Sequence, residues 1–91
     1  MKIIKITAIW CVSCIITNNN LESLKEQYNL DIVELDYDFD DEVKQYNVGK
    51  ILPALIFIDS KGKEINRIVG EKSRKELTKL FDEMERAKDE N

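Results

Sequence analysis

The sequence predicts an α/β domain, a four-stranded mixed sheet flanked by three helices in the order β-α-β-α-β-β-α. Three observations lead there. Residues 3–9 form an isoleucine-rich run, the pattern of a strand buried on both faces in a parallel sheet. Residues 54–59 and 64–69 are apolar or alternating segments joined by Ser60-Lys61-Gly62, the pattern of a β-hairpin. Apolar residues recur at helical spacing before residue 28 and after residue 77. The 91 residues suit one domain, 1–91. A chain this short buries only about 60% of its unfolded surface, so its core is thin.

The elements follow in order. Strand one is residues 3–9. The first helix runs from 14 to 28, with Ile15, Leu21, Leu24 and Tyr28 on one face. Asn18, Asn19 and Asn20 are poor helix formers and predict a kink, and Asn29 is a helix stop. Residues 31–37 alternate Ile32, Glu34 and Asp36 against Val33, Leu35 and Tyr37, a half-exposed strand near an edge. Asp40 or Asp41 caps a short helix ending at Tyr46. A loop over 47–52 leads to Pro53, the only proline, and then to the hairpin. Gly70 breaks the last strand. Ser73 and Glu76 form a capping box for a helix with Leu77, Leu80, Phe81, Met84 and Ala87 on one face. Residues 88–91 read as a frayed polar tail. The first two strands, joined by a helix, are expected to be parallel, with the first one central.

Composition removes several function classes. Fourteen Lys and Arg against 18 Asp and Glu give a net charge of −4. No basic patch suits a nucleic acid. With no histidine in the chain, His-based catalysis and His metal ligation are excluded from within it. Lys5 interrupts the apolar N-terminal run and no small-residue cleavage site follows, so that run reads as a strand rather than a signal peptide. Nowhere are there about 18 uninterrupted apolar residues, so no membrane span is expected. The expected location is cytoplasmic, where a close cysteine pair is more often redox-active or metal-binding than structural.

The chemistry sits in Trp10-Cys11-Val12-Ser13-Cys14. The i, i+3 spacing lets one sulfur reach the other, so a mixed disulfide with another molecule can be resolved within the chain. Cys11 falls at a helix N-terminus, where unpaired N–H groups and the helix dipole favour the thiolate. It is the expected nucleophile, and Cys14 the more buried resolving thiol. The rival readings are a metal site and a structural disulfide. Zinc wants four ligands, and two thiolates without histidine would need a second chain or a carboxylate pair. The acidic run Asp36, Asp38, Asp40, Asp41 and Glu42 lacks the glycine and terminal glutamate of a calcium loop. It reads as a solvated, helix-capping loop.

These residues resemble the thioredoxin family. Trp10-Cys11-Val12-Ser13-Cys14 looks like its W-C-x-x-C active site. Leu52-Pro53-Ala54-Leu55 looks like its proline loop, and Val69-Gly70 before a capped helix resembles its C-terminal part. The usual N-terminal strand and helix are absent, so the resemblance is to a trimmed thioredoxin fold. It implies that Pro53 is cis, that Leu52 offers backbone to an extended substrate, and that Trp10 flanks the nucleophile on a flat apolar surface. It implies a thiol–disulfide oxidoreductase acting in cell redox homeostasis. Such an enzyme reduces protein disulfides without a bound cofactor and draws electrons from a reductase; a monomer is expected.

Two departures bear on tuning. Val12-Ser13 replaces the usual Gly-Pro, and Ser13 could donate a hydrogen bond to a sulfur. Lys5 stands six residues before Cys11, where the family carries a buried aspartate. A charged Lys5 would stabilise a thiolate and a desolvated one could accept a proton, whereas a snorkelling one would do neither. Val69-Gly70-Glu71-Lys72 lacks the Gly-Gly-x-x-Asp pattern of glutaredoxins. The alternative function is a binding module on the same scaffold, its thiols inert or metal-bound.

Overall fold

The computed structural model describes residues 1–89. In chain order it contains β1 (Lys2–Thr7), α1 (Val12–Leu24), β2 (Asp31–Asp36), a 3-10 helix (Asp41–Tyr46), β3 (Ala54–Ile58), β4 (Glu64–Val69) and α2 (Arg74–Asp89). The strands form one sheet in the order β2-β1-β3-β4. β1 pairs parallel with β2 and antiparallel with β3, and β3 and β4 are antiparallel. The expected mixed sheet is therefore present, with β1 in its interior and β2 at an edge.

Strand alternation divides the core in two. Ile3, Leu55 and Phe57 face α1 and α2, packing with Leu21, Leu24, Tyr28, Leu30, Leu77 and Phe81. Ile4, Ile6, Ala54 and Ile56 face the other way, with Leu35, Val43 and Leu52, and this second cluster includes Cys11 and Cys14. Both α-helices thus lie on one face, and the 3-10 helix covers the other.

Turn and cap chemistry explain the boundaries. The Asp59 carboxylate accepts the N–H groups of Lys61 and Lys63, each at 2.9 Å, while Gly62 takes the positive φ of 82° that closes the hairpin. The predicted capping box is formed: Glu76 N–H donates to Ser73 Oγ at 3.1 Å, and Ser73 N–H to Glu76 Oε1 at 3.3 Å.

Five expectations are corrected. β1 stops at Thr7, and Ile9 lies in a turn, 80% exposed; Cys11 N–H donates to Ala8 O at 3.1 Å, closing the turn into the helix. α1 begins at Val12 and passes through Asn18, Asn19 and Asn20 without interruption. Tertiary contacts outweigh the weak propensity there: Asn20 Nδ2 donates to Lys72 O at 2.9 Å. The buried face of α1 is Cys14, Thr17, Leu21 and Leu24, with Ile15 exposed. Thr17 can replace an apolar residue because its hydroxyl accepts Lys72 N–H at 3.1 Å. Asp40 precedes a 3-10 helix without capping it; its carboxylate accepts Asp36 N–H at 2.7 Å instead. Asn29 has a φ of 52°, ending the turns that follow α1. Of the expected tail, Lys88 and Asp89 belong to α2. Glu90, Asn91 and the Ala87 side chain lie outside the described residues.

Candidate functional site

The end of β1 delivers the chain to the start of α1, and the cysteines sit at this junction. Cys11 is the N-cap of α1, with extended backbone (φ −94°, ψ 104°). Its sulfur occupies the place of a capping oxygen, accepting Cys14 N–H at 3.2 Å. Cys11 and Cys14 are joined as a disulfide, with Cα atoms 5.3 Å apart. The first turn of α1 carries no acidic residue, so no side chain of that turn cancels the partial positive charge of its N–H groups at Cys11. Cys11 is 7% exposed and Cys14 1%. Both residues are buried, Cys14 the more completely.

Around Cys11 the structure gathers side chains from distant segments. Trp10 is 61% exposed, yet its ring is fixed. The indole N–H donates to Asp38 Oδ2 at 2.7 Å, and the ring packs edge-on against Tyr37 at 6.5 Å between centroids. The loop holding Asp38 is braced by the Asp36 carboxylate, which accepts the N–H groups of Asp38 and Phe39 at 2.9 and 3.1 Å. Leu52 packs in the same buried cluster as the cysteines. The Leu52–Pro53 peptide is cis, and Pro53 O accepts Gly70 N–H at 2.9 Å. Gly70 holds a φ of 90°, a conformation other residues rarely adopt. Ile9, Val12 and Ile51 are also exposed, so exposed apolar side chains sit on both segments that flank the cysteines.

Lys5 and Ser13 are placed differently from Trp10, Leu52 and Pro53. Ser13 is half-buried in the first turn of α1; the hydrogen bond at the Cys11 sulfur comes from the Cys14 backbone. Lys5 lies opposite Glu34 in the β1–β2 register and pairs with it at 3.5 Å. Thr7 Oγ1 also donates to Glu34 Oε1, at 3.3 Å. A cavity of about 350 Å³ beside this group is lined by Cys14 and Glu34 but not by Lys5. Glu34 and Asp38 are the residues the sequence reading missed. Counting equal steps along two parallel strands would have set Glu34 against Lys5; no local pattern marks Asp38 as the partner of Trp10.

Among the described residues, no group of three or more His, Cys, Asp or Glu is placed to hold a metal ion. No helix among them is long and apolar enough to cross a membrane.

Comparison with known proteins places this geometry. The family model described as thioredoxin matches residues 1–83. No curated protein matches the sequence. Among solved structures, the chain is similar to a malaria-parasite thioredoxin-2, described as a component of that parasite's protein secretion machinery, at 20% identity and a TM-score of 0.78. That match covers 90% of this chain and 81% of the other. The germline-specific thioredoxin Deadhead of Drosophila melanogaster superposes at 20% identity and a TM-score of 0.77, covering 90% and 78%. A reduced thioredoxin of Schistosoma mansoni does so at 24% identity and 0.76, covering 90% and 76%. At these identities the likeness is one of fold.

Proposed function

The chain belongs to the thioredoxin family, and on that premise we propose that it is a thiol–disulfide oxidoreductase that reduces protein disulfides through Cys11 and Cys14. The observation that carries this is the bonded Cys11–Cys14 pair at the N-cap of α1, with Cys14 the more deeply buried of the two residues. In the first step the Cys11 thiolate attacks one sulfur of a substrate disulfide. A Cys11–substrate disulfide forms, and the other substrate sulfur leaves with the electron pair and takes up a proton. In the second step Cys14 attacks the Cys11 sulfur. The Cys11–Cys14 bond forms and the second substrate thiol is released. Two electrons pass from the dithiol to the substrate, and the product is the bonded pair seen here.

The helix N-terminus lowers the cost of a thiolate at Cys11. Trp10, held by Asp38 and Tyr37, supplies an apolar surface beside the nucleophile. Leu52 and Pro53 border it, and Leu52 enters no backbone–backbone hydrogen bond among the described residues; its backbone is free to pair with an extended substrate. No bound cofactor takes part. The electrons that restore the dithiol come from a reductase, and the 1–91 chain works as one domain, a monomer, in the cytoplasm. Neither a nucleic acid nor a membrane is a partner.

A graded thiol redox buffer tests this reading, with mass spectrometry following the dithiol. A midpoint near about −270 mV supports a reductant, and one above roughly −200 mV supports an isomerase or oxidant. Cys14→Ser is expected to accumulate a mixed disulfide on Cys11, and Cys11→Ser to form none. If no Cys11–Cys14 bond forms at any poise, the exchange reading fails. A Cys11→Ser protein that still binds its partner would then favour the binding module.

A further inference from the structure

The second step requires a thiol that is 1% exposed to lose its proton, and the chain contains no histidine to take it. Cys14 opens onto the cavity of about 350 Å³, which Thr7, Asn18, Glu34, Asp36 and Asp40 also line. A water molecule needs about 30 Å³, so the cavity has room for several. Asn18 also lines the cavity, and its side-chain oxygen Oδ1 is buried with no hydrogen-bond partner among the described residues.

Three carboxylates line this space, and the structure distinguishes them. The Asp36 carboxylate is engaged by the N–H groups of Asp38 and Phe39. The Asp40 carboxylate is engaged by Asp36 N–H. Both hold the loop together. Glu34 has no such duty: it is oriented by the Thr7 hydroxyl at 3.3 Å and the Lys5 ammonium at 3.5 Å. Lys5 is only 12% exposed, whereas Glu34 is 57% exposed. Glu34 therefore touches both the cavity under Cys14 and bulk solvent. The charged groups around it are Lys5 from β1 and Asp36 and Asp40 at the end of β2 and beyond; α1 contributes none to the cavity wall.

We propose that Glu34 is the positioning residue that receives the Cys14 proton, across the cavity, as Cys14 attacks the Cys11–substrate disulfide. The assignment rests on the exchange reading given above. The Cys14 proton passes through water to the Glu34 carboxylate, and the Cys14 sulfur forms its bond to the Cys11 sulfur. The Cys11–substrate bond breaks, and the substrate sulfur leaves with the electron pair. Glu34 then returns the proton to solvent or to that departing thiolate. The substrate disulfide is the only oxidant. Lys5 acts on the thiols through Glu34 rather than directly.

Stopped-flow reaction of the reduced protein with dithiobis(nitrobenzoate) tests the proposal. Cys11 releases the first thionitrobenzoate in a second-order phase, and Cys14 the second in a phase independent of reagent concentration. Glu34→Gln is expected to slow the second phase about tenfold or more near neutral pH, within the usual range for loss of a proton acceptor. The deficit narrows only as pH rises past about 8.5, where an exposed thiol ionises unaided and a buried one later still, and the first phase is unchanged. Thr7→Val, which removes only the orienting hydroxyl, is expected to show the same pH signature at smaller amplitude. Its result stands if Glu34→Gln does not fold. A second phase unaltered in the variants, or slowed equally at every pH as by a packing defect, overturns the proposal. A wild-type protein with no concentration-independent phase overturns the exchange reading itself.

Discussion

Phe81→Ala removes the centre of the cluster that fastens α2 to the sheet. Phe81 is fully buried, with the Tyr28 ring 5.2 Å and the Phe57 ring 6.2 Å from its centroid. Burying about 150 Å² of aromatic surface at about 25 cal/mol per Å² is worth about 4 kcal/mol. Core Phe→Ala substitutions cost about 3–5 kcal/mol, in agreement. A chain of 91 residues holds about 5–14 kcal/mol of stability in total, so after a loss of about 4 kcal/mol the variant keeps about 1–10 kcal/mol. Urea denaturation followed by circular dichroism measures the loss, as a shifted midpoint at unchanged slope. A loss below about 2 kcal/mol, with the slope unchanged, would refute the packing of α2 described here, because even a partly collapsed cavity costs more. The cysteines pack in the other cluster, so the folded variant should keep its disulfide exchange at low temperature.

Three other outcomes are expected. The Tyr28 phenol donates to Asp82 Oδ1 at 2.6 Å; this bond first, then burial, then the charges of Asp82 and Glu85 push its pKa from 10.0 up to about 12. With the folded value above the unfolded one, the stabilisation is whole below about pH 10 and is lost as pH rises through about 12. Tyrosinate absorbance should therefore show one late phenol, which Asp82→Ala moves back towards 10.0. Ser73→Ala removes the capping oxygen of α2 and should cost about 1 kcal/mol in urea denaturation. Asp38→Ala frees the Trp10 indole. Acrylamide quenching of Trp10 should rise, and reduction of a protein disulfide should slow about threefold, the scale of one modest hydrogen bond, with small disulfides unaffected.

Much of the fold was legible because its determinants are local. Hairpin, capping box and helical stripes depend on residues a few positions apart, whose energies act before any tertiary contact forms. The cysteine pair belongs to this class: its spacing and its place between a strand and a helix are properties of one short segment. Ile9, Ile15 and the three asparagines were misread for the converse reason. Apolar character alone did not locate the buried face of α1, which passes through Thr17, a polar residue satisfied by a backbone donor 55 positions away.

By itself, then, the sequence determined the element order, the parallel first pair, the redox-capable cysteines and the proline loop beside them. Only the tertiary structure decided what surrounds the sulfurs. Trp10 meets Asp38 across 28 residues, Thr7 meets Glu34 across 27 and Tyr28 meets Asp82 across 54. The cavity that joins Cys14 to Glu34 exists only where β1, β2 and α1 come together. Such pairings depend on strand order and register, set by burying one face of every element at once. A shift of one residue would turn Lys5 and Glu34 to opposite faces of the sheet.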